Sequence, residues 1–395
     1  MEFSVSERMK SLKGSAIREM FKAMADPTMI SLAGGNPAAE LFPNEALAQI
    51  ASDILKNNPV GALQYGISEG NVALREKIIE FVKDRENIEV SLDEITIVSG
   101  GQQAIEITSK ILLNEGDSVI VEAPSFVGGL NAFRSYGANL VGVDVESDGM
   151  NIEKLKDAIK NTPNVKLIYT IPNFQNPSGV TMSVEKRKAI YEIARDNGIF
   201  IIEDNPYGEL TFDGVKLPTI KSFDEDGVVL YSGSFSKILA PGLRLGYLIA
   251  PKTFTEKAVL GKQVSDVHTP CLPQLLALEF MNRYDIVELI EKMRELYKKK
   301  CNLMIDAMKK YLPEEITYTV PGGGLFVWCN APGIDTLKLS QECIAEKVLI
   351  VPGNNFATDQ SLVNNGIRLN FSTMPDDKIV EGVKRLGTVL KKYYK

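Results

Sequence analysis

The segment Ile199-Phe-Ile-Ile-Glu-Asp-Asn-Pro-Tyr207 decides the architecture. Ile199 to Ile202 is an unbroken apolar run and reads as a strand buried on both faces; it stops at the carboxylates Glu203 and Asp204. Before it, Val184 to Asn197 has helical periodicity, with Gly198 as its stop. Further strands are read at Ile95–Val98, Ser118–Val121, Asn139–Val143, Lys166–Thr170, Val228–Tyr231 and Leu245–Ile249. Buried strands separated by helices predict an α/β fold with a mostly parallel seven-stranded sheet between helices. Open sheets of this kind bind ligands beyond the carboxyl ends of their strands, which is where Asp204 falls.

The texture changes toward the C-terminus. Ile286–Tyr311 reads as a long charged amphipathic helix, and Tyr318–Cys329 as a hairpin-like pair around Pro321-Gly-Gly-Gly324. Leu337–Lys347 is a predicted helix, Val348–Val351 and Gly366–Phe371 are strands, and Asp376–Tyr393 is a final helix. Three regions are therefore expected: an N-terminal arm over 1–45, a large domain over 46–280 and a smaller α+β domain over 281–395. Ser15–Met24 reads as a helix too short to stand alone, so the arm is expected to pack on the small domain.

Composition narrows the function. The chain has 395 residues, 44% hydrophobic and 24% charged, as in ordinary globular proteins. With 44 Lys plus Arg against 51 Asp plus Glu, its net charge of -7 gives nucleic acid no support as main partner. Cys271, Cys301, Cys329 and Cys343 have neither metal-site spacing nor the density of a disulfide scaffold, which favours a cytoplasmic location. The opening MEFSVSERMK lacks the apolar core of a signal peptide. The richest apolar stretch, Val228–Ala250, is broken by Ser236, Lys237 and Arg244, so no membrane span is expected. His268, the only histidine, reads as structural or interfacial, and no metal is expected. Lys298–Lys300 reads as a solvated helix face.

The chemistry concentrates in Ser232-Gly-Ser-Phe-Ser-Lys-Ile-Leu-Ala-Pro-Gly-Leu-Arg-Leu-Gly-Tyr247. A lysine between apolar segments is costly unless it is paired or used covalently. Lys237 can form a Schiff base with an aldehyde such as pyridoxal phosphate. Ser234, Ser236 and Arg244 supply short donors and a guanidinium fork that suit its phosphate. Read alone, the stretch is equally a Ser/Gly loop with a solvated lysine. Asp204 can keep a pyridine nitrogen protonated, or simply cap a turn; Tyr207 can reach the ring hydroxyl. Asn176, in Asn173-Phe-Gln-Asn-Pro-Ser-Gly179, can donate to a phenolate oxygen. Ser99-Gly-Gly-Gln-Gln103 places backbone N–H groups at a helix start, a ready phosphate site. Phe126 can stack on a flat ring or fill the core. Five such signals, each at a strand end, are hard to explain as packing.

Together these stretches resemble the fold type I pyridoxal-phosphate enzymes, specifically the class I aminotransferases. Ser-Phe-Ser-Lys237, Pro-Gly-Leu-Arg244-Leu-Gly-Tyr, Asn-Pro-Ser-Gly179 and Asp204-x-x-Tyr207 look like the family's signatures, and the resemblance covers essentially the whole chain. Ser15-Ala-Ile-Arg18-Glu, Ile30-Ser-Leu-Ala-Gly-Gly-Asn-Pro37, Glu40-Leu-Phe-Pro43 and Leu63-Gln-Tyr-Gly66 look like the subgroup of 2-aminoadipate and kynurenine aminotransferases. The resemblance implies that Lys237 binds the cofactor covalently and moves the proton, that Asp204 pairs with the pyridine nitrogen, and that Asn176 and Tyr207 hold the ring oxygen. It implies that Phe126 stacks on the ring and that Gly101, Gln102, Ser234, Ser236 and Arg244 hold the phosphate. It further implies a homodimer in which Tyr65 reaches the neighbour's phosphate, so that active sites are shared. Arg368 would clamp the substrate α-carboxylate, with Asn176 and the backbone near Gly35 beside it. Arg18 would meet a distal carboxylate, or be a surface charge. Asn36 departs from the leucine common at that place.

The implied reaction moves an amino group from an L-amino acid (2-aminoadipate, aromatic, branched-chain or glutamate) to a 2-oxo acid, typically 2-oxoglutarate, by ping-pong kinetics. The nearest rival is a lyase using the same cofactor for β-elimination on a small amino acid. A transcription regulator would need a basic DNA-binding region that this acidic sequence does not display.

Overall fold

A computed structural model describes residues 4–10 and 26–394. The expected helix Ser15–Met24, and Arg18 with it, lie outside the described residues. The strands in chain order are β1 Ile30–Ser31, β2 Ile95–Val98, β3 Ser118–Ala123, β4 Asn139–Glu146, β5 Gly149–Met150, β6 Val165–Thr170 and β7 Phe200–Asp204. They continue with β8 Val229–Ser234, β9 Gly246–Ile249, β10 Thr317–Tyr318, β11 Phe326–Asn330, β12 Val348–Leu349, β13 Val351–Pro352 and β14 Gly366–Asn370.

The large sheet runs β2-β9-β8-β7-β6-β3-β4-β5. Its seven main strands are those expected; an eighth, the two-residue β5, folds back antiparallel on the end of β4. From β4 through β3, β6 and β7 to β8 every pairing is parallel, whereas β9 is antiparallel to both β8 and β2. The crossover from β6 to β7 shows how sequence sets this order. Ser183 caps helix Val184–Asp196 by accepting from the Lys186 amide at 3.3 Å. At the other end Gly198 takes φ +64°, and the amides of Gly198 and Ile199 return to the carbonyls of Arg195 and Ala194. The chain then enters β7, whose core residues Ile201 and Ile202 are buried.

The second sheet, β10-β11-β14-β13, is antiparallel throughout. The single strand expected at Val348–Val351 is in fact split. Val348–Leu349 pairs parallel with β1, while Val351–Pro352 pairs with β14. Thus the segment beginning at Ile30 is stitched to the C-terminal part of the chain. One apolar cluster unites the two sheets, from Val121 and Tyr169 to Met304, Phe326 and Leu369.

Helix Ile286–Tyr311 buries Met293, Tyr297, Cys301 and Met304 along one stripe. Lys300 lies beside that stripe, so the expected solvated lysine run is corrected at this position. It is 3% exposed, donates to the Met374 carbonyl at 3.0 Å and pairs with Glu40 at 3.2 Å. The same helix sends Arg294 into a buried ionic cluster around Glu209, which also receives Arg85 at 2.7 Å and Lys216. Burial alone would raise the Glu209 carboxyl; Arg85 and Lys216 outweigh it and hold it below the ordinary range.

Candidate active site

Parallel register brings the carboxyl ends of β6, β7 and β8 level, with Thr170 opposite Glu203 and Asp204 opposite Ser232. The loops leaving these ends surround a cavity of about 490 Å³. Asp204 stands on its floor, 5% exposed. The Tyr169 hydroxyl donates to Asp204 Oδ2 at 2.9 Å, and the Ser232 hydroxyl donates to Oδ1 at 3.1 Å. Burial pushes the Asp204 carboxyl up to about 6, despite these two donors. A protonated ring nitrogen set against it would stabilise the charged carboxylate.

Lys237 follows β8 in the turn that leads to β9. Its Nζ donates to the Gly35 carbonyl at 2.5 Å. Burial lowers the ammonium to about 8, helped by the positive charges of Arg368 and Arg244. A larger share of free amine at neutral pH is what a nucleophile and proton carrier needs.

The cavity has an anion-binding corner. Helix Gly101–Leu112 opens there, so its first amides have no partner within the helix. Gly100 takes φ +82°, and a Cβ on it would lie 2.5 Å from the Arg244 guanidinium. Arg244 is itself left-handed at φ +50° and donates from Nη2 to the Ser99 carbonyl at 3.0 Å. Ser234 and Ser236 line the same wall, the Ser236 amide donating to Ser234 Oγ at 3.1 Å. Gln102 and Phe126 also line the cavity; Gln102 Nε2 donates to the Gly128 carbonyl at 2.9 Å. A side chain at Gly128 would collide with both.

Arg368 of β14 also lines the cavity and is 7% exposed. Its guanidinium lies over the Phe326 ring at 4.3 Å and the Phe356 ring at 5.0 Å. Nη1 donates to Asn176 Oδ1 at 3.0 Å and Nη2 to the Ala33 carbonyl at 2.7 Å, while Nε has no partner among the described residues. Burial lowers this guanidinium to about 10. Trp328 sits opposite Arg368 in register and packs edge-on against Phe356 at 5.8 Å. Asn176 Nδ2 lies 3.5 Å from the Tyr207 hydroxyl; burial raises the Tyr207 phenol well above its ordinary value.

The structure therefore gathers Gly35, Gly101, Gln102, Phe126, Asn176, Asp204, Tyr207, Ser234, Ser236, Lys237, Arg244 and Arg368 around one cavity. Tyr65 is outside it, 82% exposed, with its ring edge-on to His268 at 5.8 Å. His268 Nε2 accepts from the Gly66 amide at 3.2 Å, and Nδ1 faces the Thr269 carbonyl at 2.9 Å, a structural assignment that places the proton on Nδ1. Sequence reasoning missed Tyr169 and Ser232 as partners of Asp204, and Phe326 and Phe356 as the bed of Arg368. Their one signal was a hydroxyl or aromatic residue near a strand end.

The donor set fits pyridoxal phosphate: a free amine, a carboxylate for the ring nitrogen, two donors for a ring oxygen and an anion corner. A sequence model described as "Aminotransferase class I and II" matches residues 27–386, and the chain belongs to that family. The aromatic-amino-acid aminotransferase 1 of Thermococcus litoralis is 40% identical over 395 residues, covering 99% of this chain and 94% of that protein. The 2-aminoadipate transaminase of Thermus thermophilus is 36% identical over 384 residues, covering 96% and 94%. A kynurenine aminotransferase from Pyrococcus horikoshii, solved in complex with PMP, superposes with a TM-score of 0.94 at 36% identity, covering 99% and 98% of the two chains. The protein is a pyridoxal-phosphate-dependent aminotransferase. The lyase reading has no support in these comparisons.

Proposed function

We propose that the enzyme takes its amino group from 2-aminoadipate, aromatic, branched-chain amino acids or glutamate and passes it to 2-oxoglutarate, one substrate leaving before the next enters. The observation that carries this reading is that Lys237 and Arg368 line one cavity, an amine and a guanidinium whose Nε has no partner among the described residues. Arg368 binds the α-carboxylate, and the Asn176 amide holds Arg368 in place. Lys237 would take the α-proton on Nζ and deliver it to the cofactor's aldehyde carbon, two bonds away across the amino nitrogen. Asp204 holds a proton on the ring nitrogen, Asn176 and Tyr207 donate to the ring oxygen, and Phe126 covers the ring face. Gly101, Gln102, Ser234, Ser236 and Arg244 hold the phosphate. When bound, pyridoxal phosphate supplies the electron sink that makes the α-proton acidic.

The described cations of the cavity are Lys237, Arg244 and Arg368, and each has a task in this scheme. The family resemblance offers Arg18 for a distal substrate carboxylate, while Val127, Pro241 and Phe326 offer an apolar lining to aromatic donors. We read the chain as an arm over 1–45, a large domain over 46–280 and a small domain over 281–395, in a cytoplasmic homodimer. Its face would include Tyr65, Val60 and Leu63, all more than two-thirds exposed in the single chain.

Single amino acids added to the holoenzyme test the reading. Loss of the bound aldehyde's absorption band, restored by 2-oxoglutarate, is the expected result. A preference for 2-aminoadipate that disappears in Arg18→Ala assigns the distal carboxylate to Arg18. No spectral change with any donor, alongside ammonia release from serine, would overturn transamination.

A further inference from the structure

Below the cavity, side chains join the loop carrying Asn176 to the loop carrying Tyr207. Asn173 Nδ2 donates to Asn205 Oδ1 at 2.8 Å, and both residues are buried. Each is anchored again from behind. Arg187, fully buried, donates from Nη2 to Asn173 Oδ1 at 2.7 Å. Its other N–H groups go to the carbonyls of Met182, Pro172 and Pro218. On the far side Asn205 Nδ2 donates to the Tyr231 hydroxyl at 2.9 Å, and that hydroxyl donates to Glu86. A buried polar chain thus runs from helix Val184–Asp196, through the loops that follow β6 and β7, to Tyr231 of β8 and helix Val72–Glu86.

Both amides are used at both ends. Buried amides cost free energy unless every group is bonded, so apolar residues would fill this space with less risk. What the amides provide is direction. Asn173 lies three residues before Asn176, and Asn205 two before Tyr207. The same two loops carry the Asn176 amide and the Tyr207 hydroxyl, whose Nδ2 and oxygen stand 3.5 Å apart.

We propose that Asn173 and Asn205 are positioning residues whose bridge sets the separation of the Asn176 amide and the Tyr207 hydroxyl, so that both donate to the cofactor's ring oxygen together. This rests on the assignment of those two donors made above. Donors to the ring oxygen favour its ionised form and make the neighbouring imine proton easier to lose. Misplaced donors therefore raise the pH midpoint of the bound cofactor's absorption change.

The experiment compares Asn205→Leu, Asn173→Ala, Asn205→Ala, the double alanine variant, Tyr231→Phe and Tyr207→Phe. Three quantities are read: the absorption midpoint, the affinity of apoenzyme for pyridoxal phosphate, and the apoenzyme Tm. Asn205→Leu is expected to raise the midpoint by about half a pH unit or more and to weaken cofactor binding by about tenfold. Tyr231→Phe, which deletes only a hydroxyl, moves both in the same direction by less and carries the test should Asn205→Leu not fold. The double alanine variant shifts the midpoint no further than the larger single change, as two halves of one bond require. Tyr207→Phe is the benchmark. If it moves the midpoint while the Asn205 and Tyr231 variants lower only Tm, the bridge is merely structural and the proposal is overturned. Additive shifts in the double variant overturn it as well. If Tyr207→Phe leaves the midpoint unmoved, the ring-oxygen assignment itself fails.

Discussion

Asp204 has its task at a cost to stability. Its carboxyl is at about 6 in the fold against an ordinary 3.8, so between these values the folded chain holds a proton that the unfolded chain has lost. Cofactor-free stability therefore falls as pH rises through that window. Asp204→Asn is expected to stabilise the apoenzyme at pH 7 to 8 by about 1–3 kcal/mol while abolishing transamination; calorimetry beside a turnover assay checks both. Lys237 is lowered to about 8 from 10.5, so its contribution to apoenzyme stability grows as pH rises between those values. Lys237→Ala should remove that slope and reduce turnover by at least about a thousandfold. Arg368→Ala should raise KM for the amino donor by about tenfold to a hundredfold, with Arg368→Lys recovering only part, since an ammonium cannot reproduce the fork. Lys237 was legible because a cation inside an apolar frame demands a use, whereas Arg368 was reached only through the family resemblance. Tyr169 and Ser232 were not legible, because a hydroxyl within a buried strand reads as packing until register sets it beside Asp204.

At the scale of elements, the strand-end loops are held by polar residues that look like turn formers in sequence. Glu122, on β3, accepts from the Thr170 hydroxyl, the Ile171 amide and Gln175 Nε2, and Gln175 also donates to the Pro124 carbonyl. The loops before Phe126 and Asn176 are thereby tied to one carboxyl. The alternation of helices and strands was readable from apolar periodicity, and the end of helix Val184–Asp196 from Gly198. The split of Val348–Pro352 was not, since a short apolar run does not say which neighbour it will pair with. Lys300 escaped for a related reason: a run of charges hides which member the helix turns inward. The Glu209 cluster joins helices Val72–Glu86 and Ile286–Tyr311 to the loop after Tyr207. Glu209→Ala would leave Arg85, Lys216 and Arg294 without their shared carboxylate. A loss of about 3–5 kcal/mol in denaturant unfolding is expected. The cluster's contribution is full above the unfolded carboxyl's 4.5 and lost as pH falls through the lower folded value.

For the whole molecule, the question is whether one chain suffices. Tyr65 stands clear of its own cavity among exposed apolar neighbours. If it completes the partner's phosphate site, Lys237→Ala and Tyr65→Ala chains should each be weak alone and complement when mixed. A mixed dimer carries one intact site and one doubly defective site. Random exchange should restore about a quarter of parental activity, and no recovery after verified exchange would exclude shared sites. In the sequence only the family resemblance pointed to this arrangement, because an exposed tyrosine has the same local pattern whether it meets water or a second chain.

The position of Trp328 has a practical consequence. It is the chain's only tryptophan, nearly buried, across the strand pair from Arg368 and against the same Phe356 ring. Intrinsic fluorescence excited at the indole thus comes from a single lamp beside the carboxylate clamp. Stopped-flow emission can time the arrival of an amino acid with no label attached, separating docking at Arg368 from the chemistry at Lys237.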